Sequence, residues 1–178
     1  ERELNQSMAD PSDAKLNGLA EQVAERLSAR GWMLVTAESC TGGWIAKVCT
    51  DRPGSSAWFS HGLVSYSNAA KQRLLGVSAD TLASAGAVSQ ATAEAMVAGA
   101  MANHRDCVAI AVTGIAGPSG GSADKPVGQV CFAWGFVDGR IVSETAHFDG
   151  DRESIRRASV AHALSRLLDG LDAPMSGG

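Results

Sequence analysis

The sequence lacks an excess of positive charge, any long apolar run and any clustered set of metal ligands, and each absence removes a class of function. Lysine and arginine number 15 against 19 aspartates and glutamates, a formal net charge of −4. A nucleic-acid binder carries a basic footprint, so neither DNA nor RNA is an expected partner. No apolar stretch approaches the ~20 residues that span a bilayer, and no basic n-region followed by an apolar h-region opens the chain. A soluble, cytoplasmic protein with no membrane partner is expected. The cysteines, Cys40, Cys49, Cys107 and Cys131, never form C-x-x-C, and His61, His104, His147 and His162 never fall at i, i+4 or beside a carboxylate cluster. Neither a metal nor a cofactor is expected, and the cysteines read as reduced core residues. G-x-G-x-x-G and the G-K-[ST] of a P-loop are also missing, and the serine of SCTGG does not stand in G-x-S-x-G, which argues against dinucleotide-dependent hydride transfer, nucleoside triphosphate hydrolysis and a serine-hydrolase elbow at that serine.

What is present is the composition of one folded domain: 178 residues, 45% hydrophobic and 19% charged, enough to bury a single core. The polar stretch ERELNQS before Met8 is set apart, giving an expected flexible extension over 1–13, a domain over 14–170 and a flexible tail over 171–178. Leu16, Leu19, Ala20, Val23, Ala24 and Leu27 recur at helical spacing, and Gly31 supplies a stop. WMLVTAES, from Trp32, then reads as a strand, with Gly42 and Gly43 leading into a helix at Trp44. RPGSS around Pro53 reads as a loop, GLVSYS from Gly62 as a second strand, and AAKQRLLG as a short helix closed by Gly76. Gln90 to Asn103 is an Ala-rich helix introduced by Ser89. CVAIAVTG, from Cys107, is continuously apolar and β-branched, as expected of a central strand covered on both faces. QVCFAWGFV and GRIVSETAHF make a hairpin through Asp138-Gly139, and a last helix runs from about Asp151 to Leu168. The expected fold is α/β: a three-layer α/β/α sandwich with a mixed, mostly parallel sheet.

Ligands of such sheets bind beyond the carboxyl ends of the strands, and three unusual segments follow strands there. In SCTGG, Ser39 stands at a strand-to-helix turn beside backbone N–H groups suited to an anion or oxyanion. Its competing reading is that Ser39 or Thr41 only caps the helix, and Cys40 is a rival nucleophile that needs a depressed pKa. In YSNAAK, Tyr66 and Lys71 are spaced to reach one pocket, although a lysine on a short helix is ordinarily solvated. TGIAGPSGG opens a Gly/Pro/Ser-rich loop, Gly114 to Gly128, of the length that is functional or simply a surface loop. Asp151-Arg152 either brings a guanidinium toward a phosphate or merely starts a helix.

The strings AESCTGG, GSSAWF, VSYSNAAK, GAVS, TGIAGPSGG and KPVG, in this order over roughly Leu16 to Leu168, resemble the CinA C-terminal family. Several motifs in register are more specific than any one. The resemblance implies a mixed α/β/α sandwich and, in the absence of a molybdopterin-binding-like domain, the stand-alone amidase type that deamidates nicotinamide mononucleotide to nicotinate mononucleotide and ammonia. It places the nucleophile on Ser39, its partner on Lys71, and auxiliary roles on Tyr66, Thr113 and an arginine assigned to Arg152, with Arg156 and Arg157 one turn further on. Substrate contacts are then expected from Thr41, Gly42, Gly43, Thr113, Gly114, Gly117 and Arg152, with Thr113 and the N–H groups after Ser39 holding the oxyanion. A small-molecule nucleotide is the expected partner and a homo-oligomer the expected state. The alternative is a regulatory nucleotide-binding domain that keeps the pocket without the chemistry.

Overall fold

Ser12 accepts a hydrogen bond from the Lys15 N–H and so starts the first helix, α1 (Asp13–Arg30). The apolar face of α1 is buried, and Gly31 closes it in the left-handed conformation (φ 68°) that glycine adopts without strain. The computed structural model describes residues 10–175. After α1 come β1 (Met33–Glu38), α2 (Trp44–Thr50), a 3-10 turn at Ser55–Ala57, β2 (Phe59–Val64), α3 (Asn68–Leu75), α4 (Ala79–Ala85), α5 (Gln90–Met101), β3 (Cys107–Gly114), β4 (Gln129–Gly135), β5 (Ile141–His147) and α6 (Arg152–Asp172). The helix α4, capped by Ser78, had no counterpart in the sequence reading.

The strands form one five-stranded sheet in the order β2-β1-β3-β4-β5. β1 pairs in parallel with β2 and β3, while β4 runs antiparallel to both β3 and β5. Thus β1, β2, β3 and β5 point one way and β4 the other: the sheet is mixed, with most strands co-directional. Helices α1, α2 and α6 cover one face, and α3, α4 and α5 the other. The central strand β3 shows why the layers differ. Successive side chains point to opposite faces, so Val108, Ile110 and Val112 enter the α1/α2/α6 core while Ala109 and Ala111 face α5. Large residues fill the first core, where Trp134 stacks on Phe132 and donates its indole N–H to the Ala163 carbonyl (2.9 Å). On the second face small residues let α5 lie close to the sheet.

Both chain ends depart from expectation. Residues 1–9 of the expected extension lie outside the described residues, but Asp10–Asp13 belong to the folded body, where Asp10 accepts from Ser154 (2.6 Å) and Ser12 caps α1. The flexible tail expected from 171 is corrected in part: α6 continues to Asp172 because Leu171 is buried in the core and Asp172 pairs with Arg26 on α1 (2.7 Å). Residues 176–178 lie outside the described residues.

The close fit of α5 gives a first test. A Cβ on Gly99 would sit 1.9 Å from the Leu75 carbonyl oxygen at the end of α3, a backbone atom that cannot swing aside. Gly99→Ala should therefore lower stability by about 1–3 kcal/mol, read by urea unfolding. The clash should also shift α3, the helix that carries Lys71.

Candidate active site

The carboxyl ends of β1, β2 and β3 open into a cleft of about 330 Å³ lined by Ser39, Cys40, Tyr66, Asn68, Lys71, Ala87, Val88, Thr113, the Gly114–Gly117 segment, Ser119, Gly120 and Arg152. Ser39 is the first residue past β1, tied to β3 by its N–H bond to the Val112 carbonyl (2.9 Å). Lys71 lies in the first turns of α3, which Ser67 caps by accepting from the Ala70 N–H. The Lys71 amine is buried, at 1% exposure. Its Nζ lies 3.0 Å from Ser39 Oγ, 3.0 Å from the Ser65 carbonyl and 3.0 Å from the Tyr66 carbonyl. Burial holds its pKa below the usual lysine range, because desolvation penalises the charged form. A neutral amine has two N–H donors and one lone pair. In the structure Nζ donates to both carbonyls and to Ser39 Oγ, and the Ser39 hydroxyl donates to the Tyr66 carbonyl (3.4 Å); in the neutral form the carbonyls can hold both N–H bonds, which leaves the lone pair on the Ser39 side.

Cys40, the rival nucleophile, is buried and its thiol is pushed up to about 12, chiefly by desolvation and further by the Glu38 carboxylate. It stays a thiol at neutral pH, and only a thiolate attacks well. Tyr66 contributes differently from expectation. Its carbonyl holds Lys71, whereas its phenol is exposed and accepts a hydrogen bond from Arg152 (3.1 Å). The contact between Tyr66 and Lys71 is thus made by backbone and not by the phenol. Thr113 donates its hydroxyl proton to the Ala87 carbonyl (2.8 Å), so it presents a lone pair to the cleft, not the oxyanion donor expected of it.

Arg152 opens α6 and spans the cleft mouth, donating to the Gly117 carbonyl (2.7 Å) and the Tyr66 hydroxyl. The two neighbouring arginines are placed elsewhere. Arg157 pairs with Asp13 (2.5 Å) and Glu153 (3.3 Å), and Arg156 donates to the carbonyls of Cys40 (3.0 Å) and Thr41 (3.1 Å). Gly114 serves packing: a Cβ there would lie 2.7 Å from Val130 Cγ2. Thr41, Gly42 and Gly43 do not line the Ser39 cleft. They line a separate groove of about 770 Å³ against α1, α2 and α6, together with Trp44, Arg156 and Arg157.

Sequence reasoning missed Glu38. Adjacent strand residues face opposite sides, so Glu38 points toward α2 while Ser39 emerges on the α3 side. Glu38 is buried and accepts from the Thr41 hydroxyl (2.7 Å), the Ile45 N–H (2.9 Å) and the Ala46 N–H (3.0 Å). Gly43, at the N-cap of α2, has no side chain to do this, and the strand carboxylate caps the helix in its place. The available signal was a carboxylate ending an apolar strand just before a helix that starts on glycine.

Residues 16–171 match the CinA C-terminal domain. The nicotinamide-nucleotide amidohydrolase PncC of Escherichia coli K12 is 49% identical over 156 residues, covering 88% of this chain and 94% of that protein. The one from Pseudomonas putida is 54% identical over 151 residues, 84% of this chain and 93% of that protein. The crystal structure of competence/damage inducible protein CihA from Agrobacterium tumefaciens superposes with a TM-score of 0.85 at 44% identity, covering 92% of this chain and 98% of its own. With a family match across nearly all the described residues and a cleft built from its motifs, the chain belongs to the CinA C-terminal domain family.

Proposed function

We propose that this chain is an amidase that hydrolyses the carboxamide of nicotinamide mononucleotide to nicotinate mononucleotide and ammonia, using Ser39 as nucleophile and Lys71 as base and then acid. The observation that carries the reading is the 3.0 Å approach of a buried, neutral-leaning amine to a serine hydroxyl. The close relatives named for this reaction support the substrate.

In the first step the Ser39 oxygen bonds to the carboxamide carbon, the carbonyl π pair moves onto oxygen, and the serine proton passes to the Lys71 lone pair. The resulting ammonium donates to the leaving nitrogen as the C–N bond breaks, giving ammonia and an acyl-serine. Water then adds to the acyl carbon with Lys71 again taking a proton, and collapse returns that proton to Ser39 and frees the acid. The Cys40 and Thr41 N–H groups have no hydrogen-bond partner among the described residues, and they are the donors for the oxyanion of both tetrahedral states. The Thr113 lone pair is suited to accept from the carboxamide NH₂. Arg152, with N–H groups to spare beyond its bonds to Gly117 and Tyr66, meets the phosphate with the Gly117–Gly120 wall. The reading also takes the enzyme to be cytoplasmic and homo-oligomeric, acting on a free nucleotide and on neither nucleic acid nor membrane; among the described residues no helix is long and apolar enough to cross a bilayer.

Purified protein should release ammonia from nicotinamide mononucleotide and much less from free nicotinamide; the reverse preference, or none, refutes the substrate. Lys71→Ala should cut kcat by roughly 10⁴-fold, as loss of a catalytic base does elsewhere, with substrate still bound in calorimetry. In wild type, kcat/KM should rise with pH through one ionisation. The active form is the neutral amine, and its pKa is lowered, so the midpoint must fall below the free-lysine range. Ser39→Ala should be as impaired as Lys71→Ala while Cys40→Ala keeps turnover within a few fold; the opposite ranking would transfer the nucleophile to the cysteine.

A further inference from the structure

The turn that follows the nucleophile is gripped from behind. Arg156, one turn into α6, passes beside the Trp44 ring (5.4 Å from guanidinium carbon to ring centre) and donates to the Cys40 and Thr41 carbonyls. Gly42 leaves it space: a Cβ there would stand 3.4 Å from the guanidinium, on a backbone with φ 60°. Arg156 and Thr41 line the α1/α2/α6 groove and not the Ser39 cleft. The carbonyl side of the Cys40–Thr41 peptide therefore faces the groove. In a planar trans peptide the N–H points opposite to the C=O, so the Thr41 N–H is turned the other way.

Two backbone donors of this turn are used locally. The Gly42 N–H bonds to the Ser39 carbonyl (3.0 Å), and the Trp44 N–H to the Thr41 carbonyl (3.1 Å). The Thr41 N–H, in a residue with 0% exposure, has no partner among the described residues. Buried donors are rarely left unpaired, and one beside a nucleophile marks where a developing negative charge belongs. On the same turn Glu38 holds the Thr41 hydroxyl and the first N–H groups of α2, so carboxylate and guanidinium fix the turn between them.

We infer that Arg156 is a positioning residue for the oxyanion site: by binding the Cys40 and Thr41 carbonyls from the groove side it aims the Thr41 N–H at the transition state without touching substrate. The inference rests on the amidase reading for its substrate but on the turn alone for its geometry. It separates Arg156 from Arg152, which lines the cleft and is placed to meet the substrate.

The test compares Arg156→Met, which keeps bulk and removes both donations, with Arg156→Lys, which retains charge and a single donor. Two substrates are used, nicotinamide mononucleotide and the phosphate-free nucleoside, together with p-toluenesulfonyl fluoride, whose attachment to Ser39 is followed by mass spectrometry. Arg156→Met should lose about 100-fold in kcat, the scale of one oxyanion donor, on both substrates, with KM within twofold. Sulfonylation of Ser39 should slow in parallel, and Arg156→Lys should restore part of each rate. The pH midpoint for labelling should stay at the wild-type position, since Lys71 is undisturbed; a turn that had merely collapsed would move it. A defect confined to KM, and seen only with the phosphate-bearing substrate, would make Arg156 a phosphate ligand and overturn the inference. Wild-type rates in either variant would also overturn it. If the methionine variant does not fold, the lysine variant decides: an intermediate rate with unchanged KM supports the inference and a wild-type rate refutes it. Wild-type protein that labels at Ser39 but releases no ammonia would refute the substrate assignment alone, leaving the labelling rates to judge Arg156.

Discussion

The site depends on one buried amine and the way its hydrogen-bonding capacity is divided. Lys71 has no carboxylate partner in the cleft; it meets two backbone carbonyls and a hydroxyl. Those carbonyls are acceptors only, so they orient the N–H bonds of the amine in either charge state. A carboxylate in either place would favour the ammonium, whereas burial without one favours the uncharged form. In the proposed reaction the same carbonyls would serve the amine and the ammonium alike. Desolvation and carbonyl anchoring thus act together, one making the amine willing to be neutral and the other aiming it.

That division requires three strand ends to terminate at the same level. The exit of β1 supplies Ser39, the exit of β2 supplies the Ser65 and Tyr66 carbonyls, and β3 carries Thr113 next to its last residue. Parallel registry of β2, β1 and β3 puts those ends side by side, and the antiparallel β4 and β5 extend the sheet away from the cleft. The alternation of side chains does the rest. At the end of β1 a carboxylate anchors α2 on one face and a hydroxyl enters the cleft on the other, so the turn between them is held by its own neighbour in sequence. On β3, alanines at 109 and 111 bring α5 close to the sheet, which in turn supports the end of α3 behind Lys71.

Much of this was legible in the sequence. The helix and strand periodicities, the glycine stops and the position of unusual segments after strands located the cleft, and in it Ser39 and Lys71 meet. The departures have specific causes. Residue identity does not reveal whether a side chain or a carbonyl is used, and Tyr66 meets Lys71 through its carbonyl while its phenol meets Arg152. Arg152, Arg156 and Arg157 are chemically equivalent on paper, but successive residues turn by about 100° around a helix, and only the packing of α6 decides which one reaches the mouth, the turn or Asp13. A hydroxyl such as that of Thr113 can donate or accept, and Ala87, distant in sequence, settles which. The end of α6 was placed too early, at about Leu168; in the fold Gly170 lies against the Phe136 ring, where a Cβ would come within 2.1 Å, and the helix runs through it to Asp172.

The thiol adjoining the nucleophile has a further consequence. Peroxide oxidises thiolates far faster than thiols, and the buried sulfur of Cys40 is kept protonated well above neutral pH. By burying the sulfur deeply enough to deny it charge, the fold keeps a soft, space-filling atom beside Ser39 while sparing the enzyme the redox sensitivity that an exposed cysteine would bring.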